Sequence, residues 1–429
     1  MNATNLSRRR FAQALGAGAA AAAIGGCAAP QPPAAKRLGR VVVVGGGYAG
    51  ATAAKYLKVW GGPAMEVVLI ERNPQFVSCP ISNLVIGGVR PISDITMDYG
   101  GLRQHGVQVL RDEVTQIDTS RKRVILSRIA DQPYDRLVVS PGIDFVFPEV
   151  RGLDDEAQKT VLHAWKAGPQ TVELRQQLEA MPDGGVYVLT IPPMPYRCPP
   201  GPYERVCQVA RYFRDRKPRS KIIVLDANPD LTSKKGLFLA AWNGLYPGMI
   251  EYRPSAKIAE VDARNRTAIT DFGDRVRADV LNVVPPHRAG EIARRSGLAN
   301  VNDRWCDVNW MTLESTTVKD VHVLGDATMS APMMPKSGHM ANQHGKVAAS
   351  AIVQLMQGRE PVLPVMANTC YSYVDDRNAM HVASVHQWSP GKKTIEPVTG
   401  AGGLSSSANE IEGRFAWAWA QNIWRDMLA

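Results

Sequence analysis

Four consecutive valines, Val41 to Val44, run into the glycine-rich stretch "GGGYAG", and Ala51 to Leu57 then follows with helical spacing. An unbroken apolar run closed by turn glycines is the pattern of a strand covered on both faces in a parallel sheet. A second such strand, "EVVLIER", ends in Glu71. The pattern starts again further on: Val186 to Leu189 reads as a strand, and "SKIIVLDANP" as its neighbour, ending in Asp226. Between the two units "YDRLVVSPGIDF" reads as a strand and turn, and late in the chain Val321 to Leu324 reads as a strand ending in Gly325-Asp326. "PKSGHMANQHGKVAASAIVQLM" predicts a helix. From about Gly358 the alternation of strand and helix stops. "CYSYVDDRNAMHVASVHQW" reads as strands and "EIEGRFAWAWAQNIWRDML" as a terminal helix with a tryptophan-rich face.

Gly45, Gly47 and Gly50 fit G-x-G-x-x-G between that first strand and helix. The glycines permit a tight turn and close backbone approach to a pyrophosphate, and the helix end supplies amide donors and a positive dipole end. Glu71, 21 residues after Gly50, stands near the spacing of an acid that contacts a ribose hydroxyl. Flavoproteins with two dinucleotide domains use an aspartate after a late strand to bind the ribityl chain of FAD, which suits Asp326. They also return beside the cofactor through a strand and turn like the one at Pro141-Gly142. The three signals occur in the right order and predict FAD. The expected cofactor-binding set is Gly45, Gly47, Tyr48, Ala49, Gly50, Glu71, Arg72, Val114, Pro141, Gly142, Gly325 and Asp326. The fold class is α/β: two Rossmann-like domains, the FAD domain discontinuous, plus a small C-terminal α+β interface domain. The expected bounds are 1–37 for a signal and linker, 38–150 and 280–357 for the FAD domain, 151–279 for the second domain and 358–429 for the C-terminal one.

The second unit departs from the first at its loop. After Val186 to Leu189 comes "TIPPMPYRCPPG", prolines in place of glycines. Proline has no amide hydrogen to offer a phosphate and fixes its own φ, so NADH and NADPH are not expected as substrates. The loop instead carries Cys198, a candidate redox thiol, and Glu204 six residues on is a candidate acid/base partner. Burial as a small hydrophobe suits Cys207 and Cys306 better.

Composition adds the compartment. "SRRRFAQALGAGAAAAAIGGC" has the adjacent Arg8 and Arg9, Phe11 and a weakly apolar run, the twin-arginine export pattern. It ends in a lipoprotein-like box at Cys27; lipidation of Cys27 and plain cleavage nearby both stay open. Five cysteines remain beyond it, in a compartment where a disulfide is permitted. No C-x-x-C occurs, which excludes a haem attachment motif in this chain and a zinc knuckle; no metal is expected. The net charge is +10, three of it from Arg8, Arg9 and Arg10, and no basic stripe or nucleic-acid motif accompanies it. After the first thirty residues no apolar run is long enough to span a membrane.

Several motifs together closely resemble one family: "FVSCPISNLVIGG" around Cys79, "PYRCPPGPYE" around Cys198, "LGDAT", "MPKSGHMANQHGKVAA" and "NTCYSYV" around Cys370. From about Arg40 to the C-terminus the chain is similar to the flavoprotein subunit of flavocytochrome c sulfide dehydrogenase, a relative of sulfide:quinone reductase. The resemblance implies that Cys79 forms a thioether to FAD and that Cys198 and Cys370 form a redox disulfide beside the flavin, with Glu204 near it. It implies that Trp419, or Trp417 or Trp424 in a shifted register, stands between flavin and haem. The helix end near Lys336 and Ser337 is expected to stabilise negative charge on the flavin. The implied function is periplasmic oxidation of hydrosulfide, the haem being on a c-type cytochrome partner. Sulfide:quinone reduction and a non-catalytic electron-transfer flavoprotein remain as rivals.

Overall fold

The structure is a computed structural model and describes residues 37–429. The expected export segment, with Arg8, Arg9 and Cys27, lies outside the described residues. In chain order the first part holds β1 (Gly39–Val44), α1 (Tyr48–Gly61), β2 (Met65–Glu71), α2 (Ser82–Ile86), β3 (Gln108–Arg111), β4 (Arg136–Val139) and β5 (Ile143–Phe145). The insert follows as β6 (Val186–Ile191), α3 (Gly201–Arg216), β7 (Lys221–Asp226), β8 (Ile250–Arg253) and β9 (Val280–Val283). The chain returns through β10 (His287–Ala289), β11 (Val308–Asn309), β12 (Glu314–Ser315), β13 (Val321–Val323) and α4 (Gly338–Met356). It ends with β14 (Val365–Tyr373), β15 (Ala379–Ser389), β16 (Thr394–Leu404) and α5 (Glu410–Leu428).

The seven strands of the first sheet run in the order β11-β12-β13-β4-β1-β2-β3, and the five from β13 to β3 are parallel. Val41 to Val43 lie at its centre with no exposed surface. The second sheet, β8-β7-β6-β9, is parallel throughout. The two crossings between the domains, β5 and β10, pair antiparallel with each other. The last three strands form an antiparallel sheet, β14-β15-β16. This is the expected two-domain Rossmann-like architecture with one boundary corrected. Val280 to Val283 pairs with Tyr187 to Thr190, so this strand belongs to the insert and the return comes after it. Among the described residues no helix is long and apolar enough to cross a membrane.

The glycine turn and the late helix meet closely. A Cβ at Gly345 of α4 would stand 2.6 Å from the Ala49 carbonyl oxygen and 2.8 Å from Thr52 Cβ on α1. Asn342 Nδ2 donates to Thr52 Oγ1 at 2.9 Å one turn away. Glycine lets the two helices touch backbone to backbone, which fixes where α4 begins relative to the first sheet. Gly345→Ala is expected to lower stability by about 1–3 kcal/mol, the usual range for overfilling a packed contact; denaturant unfolding of the flavin-loaded protein measures it.

Candidate active site

At the first turn, Gly45 has a φ of 96° and its Cβ would meet the Ser140 carbonyl at 2.3 Å, while a Cβ at Gly50 would meet the Gly45 carbonyl at 1.9 Å. Gly47, the N-cap of α1, brings no side chain to the first-turn amides, and a Cβ there would touch nothing within 4 Å. Two glycines thus close the turn and the third leaves open space at a helix N-terminus, an anion-binding arrangement. Glu71 at the end of β2 accepts from the Gly46 amide at 2.7 Å, which places the expected ribose acid against this loop. Arg72 is exposed and pairs with Glu113 at 3.8 Å. Val114 begins the strand Val114–Asp118 with its side chain buried in the core, so only its main chain is available to a cofactor.

Gly142, with a φ of 66°, and Pro141 lie where β4 leaves the sheet. Gly325 packs near Ala49, and Asp326 follows it; its carboxylate accepts no hydrogen bond among the described residues, and burial holds its pKa above the usual carboxylate range. A pyrophosphate cradle, a free acid and an aligned helix end are what FAD requires, so these residues fit that cofactor. Ser337 caps α4, accepting from the Met340 amide at 3.0 Å and donating to Asn368 Oδ1 at 2.7 Å. Lys336 precedes the cap, and its side chain is already engaged by the protein. The ammonium turns back onto the Asp326 and Thr328 carbonyls and lies over the Trp305 ring, and burial lowers its pKa to about 8. Its backbone serves the site instead: the Lys336 carbonyl accepts from the Cys198 amide at 2.8 Å.

Cys198 and Cys370 come together as free thiols, each acting first on the other's ionisation. Cys198 sits in the proline loop with a φ of 59°. Cys370 is on β14, which is held to α4 by the Thr369 amide donating to His339 Nδ1 at 2.9 Å. The hydrogen bond between the thiols lowers the pKa of Cys370 and raises that of Cys198; the Lys234 ammonium adds to the lowering at Cys370. Glu204 stands beside the pair, in the first turn of α3. It makes no hydrogen bond to either thiol: Oε2 accepts from Asn83 Nδ2 and Oε1 from the Tyr373 amide, both at 2.8 Å. Burial raises its pKa.

Cys79 precedes α2 and its Sγ accepts from the Ala167 amide at 3.4 Å. Asn83 of α2 and the fully buried Arg205 of α3 tie this loop to the thiol pair. Arg205 donates to Asn83 Oδ1 at 3.1 Å, to Asn282 Oδ1 and the His163 carbonyl at 2.9 Å, and to the Ala164 carbonyl at 2.6 Å. Tyr48 faces the same region: its hydroxyl bonds Ser78 Oγ at 2.7 Å and accepts from Trp424 Nε1 at 3.0 Å. Trp417 and Trp424 pack edge to face, their ring centroids 5.7 Å apart, while Trp419 has other neighbours. Trp424 reaches Tyr48, Trp417 lies under Arg90, and Trp419 packs edge-on to His339 at 5.8 Å and against Tyr371, next to Cys370, at 6.2 Å.

The acid that ends the insert's second strand is already satisfied by protein groups. Asp226, the acid ending β7, is fully buried and accepts from the hydroxyls of Tyr203 at 2.8 Å and Tyr252 at 3.0 Å, and from Asn228 N and Nδ2. Lys234, Asn83 and Arg205 are site residues the sequence reading missed. Asn83 lies inside the family-like stretch "FVSCPISNLVIGG" and Arg205 directly follows "PYRCPPGPYE", so both had a signal that went unused, whereas Lys234 becomes relevant only through its fold position.

Gly47→Ala separates binding from folding, since its Cβ meets no protein atom. The variant is expected to keep its unfolding midpoint in the flavin-free state and to lose noncovalent flavin affinity, read by equilibrium dialysis of protein whose Cys79 is replaced by serine.

Three family models match the chain. Pyridine nucleotide-disulphide oxidoreductase covers residues 39–178, the central part of the sulfide dehydrogenase (flavocytochrome c) flavoprotein chain covers 171–285, and flavocytochrome c sulphide dehydrogenase, flavin-binding, covers 362–428. A sulfide dehydrogenase (flavocytochrome c) flavoprotein chain of Chlorobaculum thiosulfatiphilum is 54% identical over 46 residues, 11% of this chain and 94% of that sequence. A mitochondrial sulfide:quinone oxidoreductase of Dictyostelium discoideum is 24% identical over 305 residues, 68% of this chain and 66% of its own length. Among solved structures, the sulfide:quinone oxidoreductase of Aquifex aeolicus superposes with a TM-score of 0.73 at 19% identity, covering 90% of this chain and 91% of that one. With the turn glycines, the cysteine pair and both domains in place, the chain belongs to the family of flavocytochrome c sulfide dehydrogenase flavoprotein chains.

Proposed function

We propose that this chain is the flavin-carrying part of an exported, periplasmic enzyme that oxidises hydrosulfide through a redox disulfide and passes the electrons to a c-type cytochrome subunit. The observation that carries the reading is the contact between Cys198 and Cys370, made by the proline loop and the distant strand β14 meeting at the start of α4. In the oxidised enzyme this pair is a disulfide. Hydrosulfide, a soft anionic nucleophile, attacks one sulfur; one cysteine is left as a persulfide and the other as a thiolate. Bound FAD supplies the change from a two-electron donor to a one-electron acceptor. The chain's own residues hold the sulfurs, exclude competing charges and manage the proton. Glu204, buried and raised in pKa, stands beside the pair to take the proton that the persulfide sheds. Cys79 is the attachment point in this reading. The bonded Asp226 carboxylate and the proline loop support a donor other than a pyridine nucleotide.

A second reading, transfer to a quinone, is favoured by one feature. A cavity of about 440 Å³ lies beside Cys370's strand, lined by His339, Tyr371, Phe415 and Trp419 among others. Haem copurifying with the protein, and sulfide-dependent reduction of that haem in preference to a soluble quinone, distinguishes the two. A non-catalytic flavoprotein would show no bleaching by sulfide.

Cys198→Ser and Cys370→Ser are each expected to abolish rapid flavin reduction by sulfide, leaving reduction by dithionite intact. Cys207→Ser and Cys306→Ser serve as controls that stay active. Near-normal sulfide-dependent cytochrome reduction by folded Cys198→Ser or Cys370→Ser protein would refute the disulfide route. Acid precipitation of matured protein is expected to carry the flavin into the pellet, and Cys79→Ser to release it to the supernatant; flavin washing out of the unaltered protein contradicts the attachment.

A further inference from the structure

Lys234 enters the helix Lys235–Leu245 with a φ of 52°, a left-handed conformation uncommon for a residue with a side chain. The side chain is buried. Its Nζ donates to the Cys370 carbonyl at 2.6 Å, to Ser372 Oγ at 2.9 Å and to the Met380 carbonyl at 3.3 Å. These three acceptors match the three hydrogens of an ammonium, and none of them is charged. A buried cation among neutral acceptors is costly unless a negative charge faces it. Burial lowers the pKa of Lys234, and the negative charge that opposes this comes from Cys370 first, then Glu204, Cys198 and Glu412.

The surroundings of Cys198 are mixed: the Arg197 and Arg205 guanidinium groups act on it, and so does the Glu204 carboxylate. Cys198 precedes α3, whose N-terminal end would ordinarily favour a thiolate. The Gly201 amide, however, donates to the Cys198 carbonyl at 2.8 Å and the Glu204 amide to the Pro200 carbonyl at 3.1 Å. Pro202 has no amide hydrogen, and the Glu204 carboxylate occupies the same turn. The nearby Arg197 guanidinium is engaged by the Trp165 carbonyl. The charged groups around the pair are Lys234 on the Cys370 side, Arg197, Arg205 and Glu204 on the Cys198 side, and Glu412 beyond Lys234.

We propose that Lys234 sets the polarity of the cysteine pair: by holding negative charge on Cys370 Sγ it makes Cys370 the leaving thiolate and Cys198 the sulfur that hydrosulfide attacks. The disulfide bond breaks and a new sulfur–sulfur bond forms between hydrosulfide and Cys198 Sγ. The electron pair of the old bond stays on Cys370, and the proton of hydrosulfide remains on the terminal sulfur or passes to Glu204. Lys234 is a positioning residue, since it touches the Cys370 backbone and not the reacting atoms. The substrate half of this inference rests on the sulfide-oxidising function; the electrostatic half concerns the two thiols alone.

The test uses flavin-loaded protein in two measurements. In the first, the pair is reduced with a phosphine and treated briefly with iodoacetamide across a pH series, and the two cysteine peptides are quantified by mass spectrometry. At neutral pH, Cys370 is expected to react faster than Cys198 by about tenfold or more, the equivalent of one unit in pKa. Lys234→Gln removes that preference and moves the Cys370 midpoint to higher pH; Lys234→Arg keeps it. In the second, the disulfide form receives less than one equivalent of sulfide and is trapped with the same reagent, and the added sulfur is expected on the Cys198 peptide. Equal alkylation of the two thiols in the unaltered protein, an unmoved midpoint in folded Lys234→Gln protein, or added sulfur on Cys370 overturns the proposal. The unaltered protein decides the matter even where Lys234→Gln does not fold. Failure of sulfide to open the disulfide at all counts against the sulfide-oxidising function, and the alkylation comparison then judges Lys234 by itself.

Discussion

The start of α4 joins two otherwise separate parts of the chain by short hydrogen bonds. The Cys198 amide reaches the Lys336 carbonyl, Ser337 holds Asn368, and His339 takes the Thr369 amide. A proline loop from the insert and a strand from the C-terminal sheet are thereby brought to the same helix end. The helix itself is set by the Gly345 contact with α1. The position of both sulfurs thus traces back to two helices of the first domain touching through a residue with no side chain. A helix N-terminus is also where negative charge is best tolerated, so the scaffold and the electrostatics of the site have one origin.

What was legible in the sequence was what local pattern dictates. The valine run, the glycine turn and the strands ending in Glu71, Asp226 and Gly325-Asp326 all fold as their spacing predicts. The pairing of Cys198 with Cys370 was of another kind. No spacing brings together residues from different domains, and only the resemblance carried in "PYRCPPGPYE" and "NTCYSYV" pointed to it. The boundary at 280 was misplaced because "VLNVV" is equally apolar in either parallel sheet, and pairing, not hydrophobicity, decides between them. Lys336 illustrates the limit for side chains: the spacing puts it beside the helix end, and only the fold shows its ammonium engaged by nearby carbonyls.

Arg205 gives the site its stiffness. A guanidinium with five donors can bind several carbonyls at once, and here it joins α2, the segment at 163–164 and β9 in one buried knot. Asn83 then links that knot to Glu204, so the Cys79 loop and the thiol pair are parts of the same hydrogen-bonded body. The antiparallel pairing of β5 with β10 holds the two crossings between the domains side by side. Site and domain junction are braced by the same region of the molecule.

The buried acid at the end of β7 makes the insert's divergence hard to reverse. A glycine loop grafted between Ile191 and Gly201 would still face an Asp226 already bonded by Tyr203, Tyr252 and Asn228. Clearing those partners first would strand a carboxylate inside the core, where an unpaired charge is destabilising. Neither change helps without the other, and each alone is harmful. The partners of Asp226 therefore act as a lock: the insert's present form is held by bonds that a new loop alone would not release.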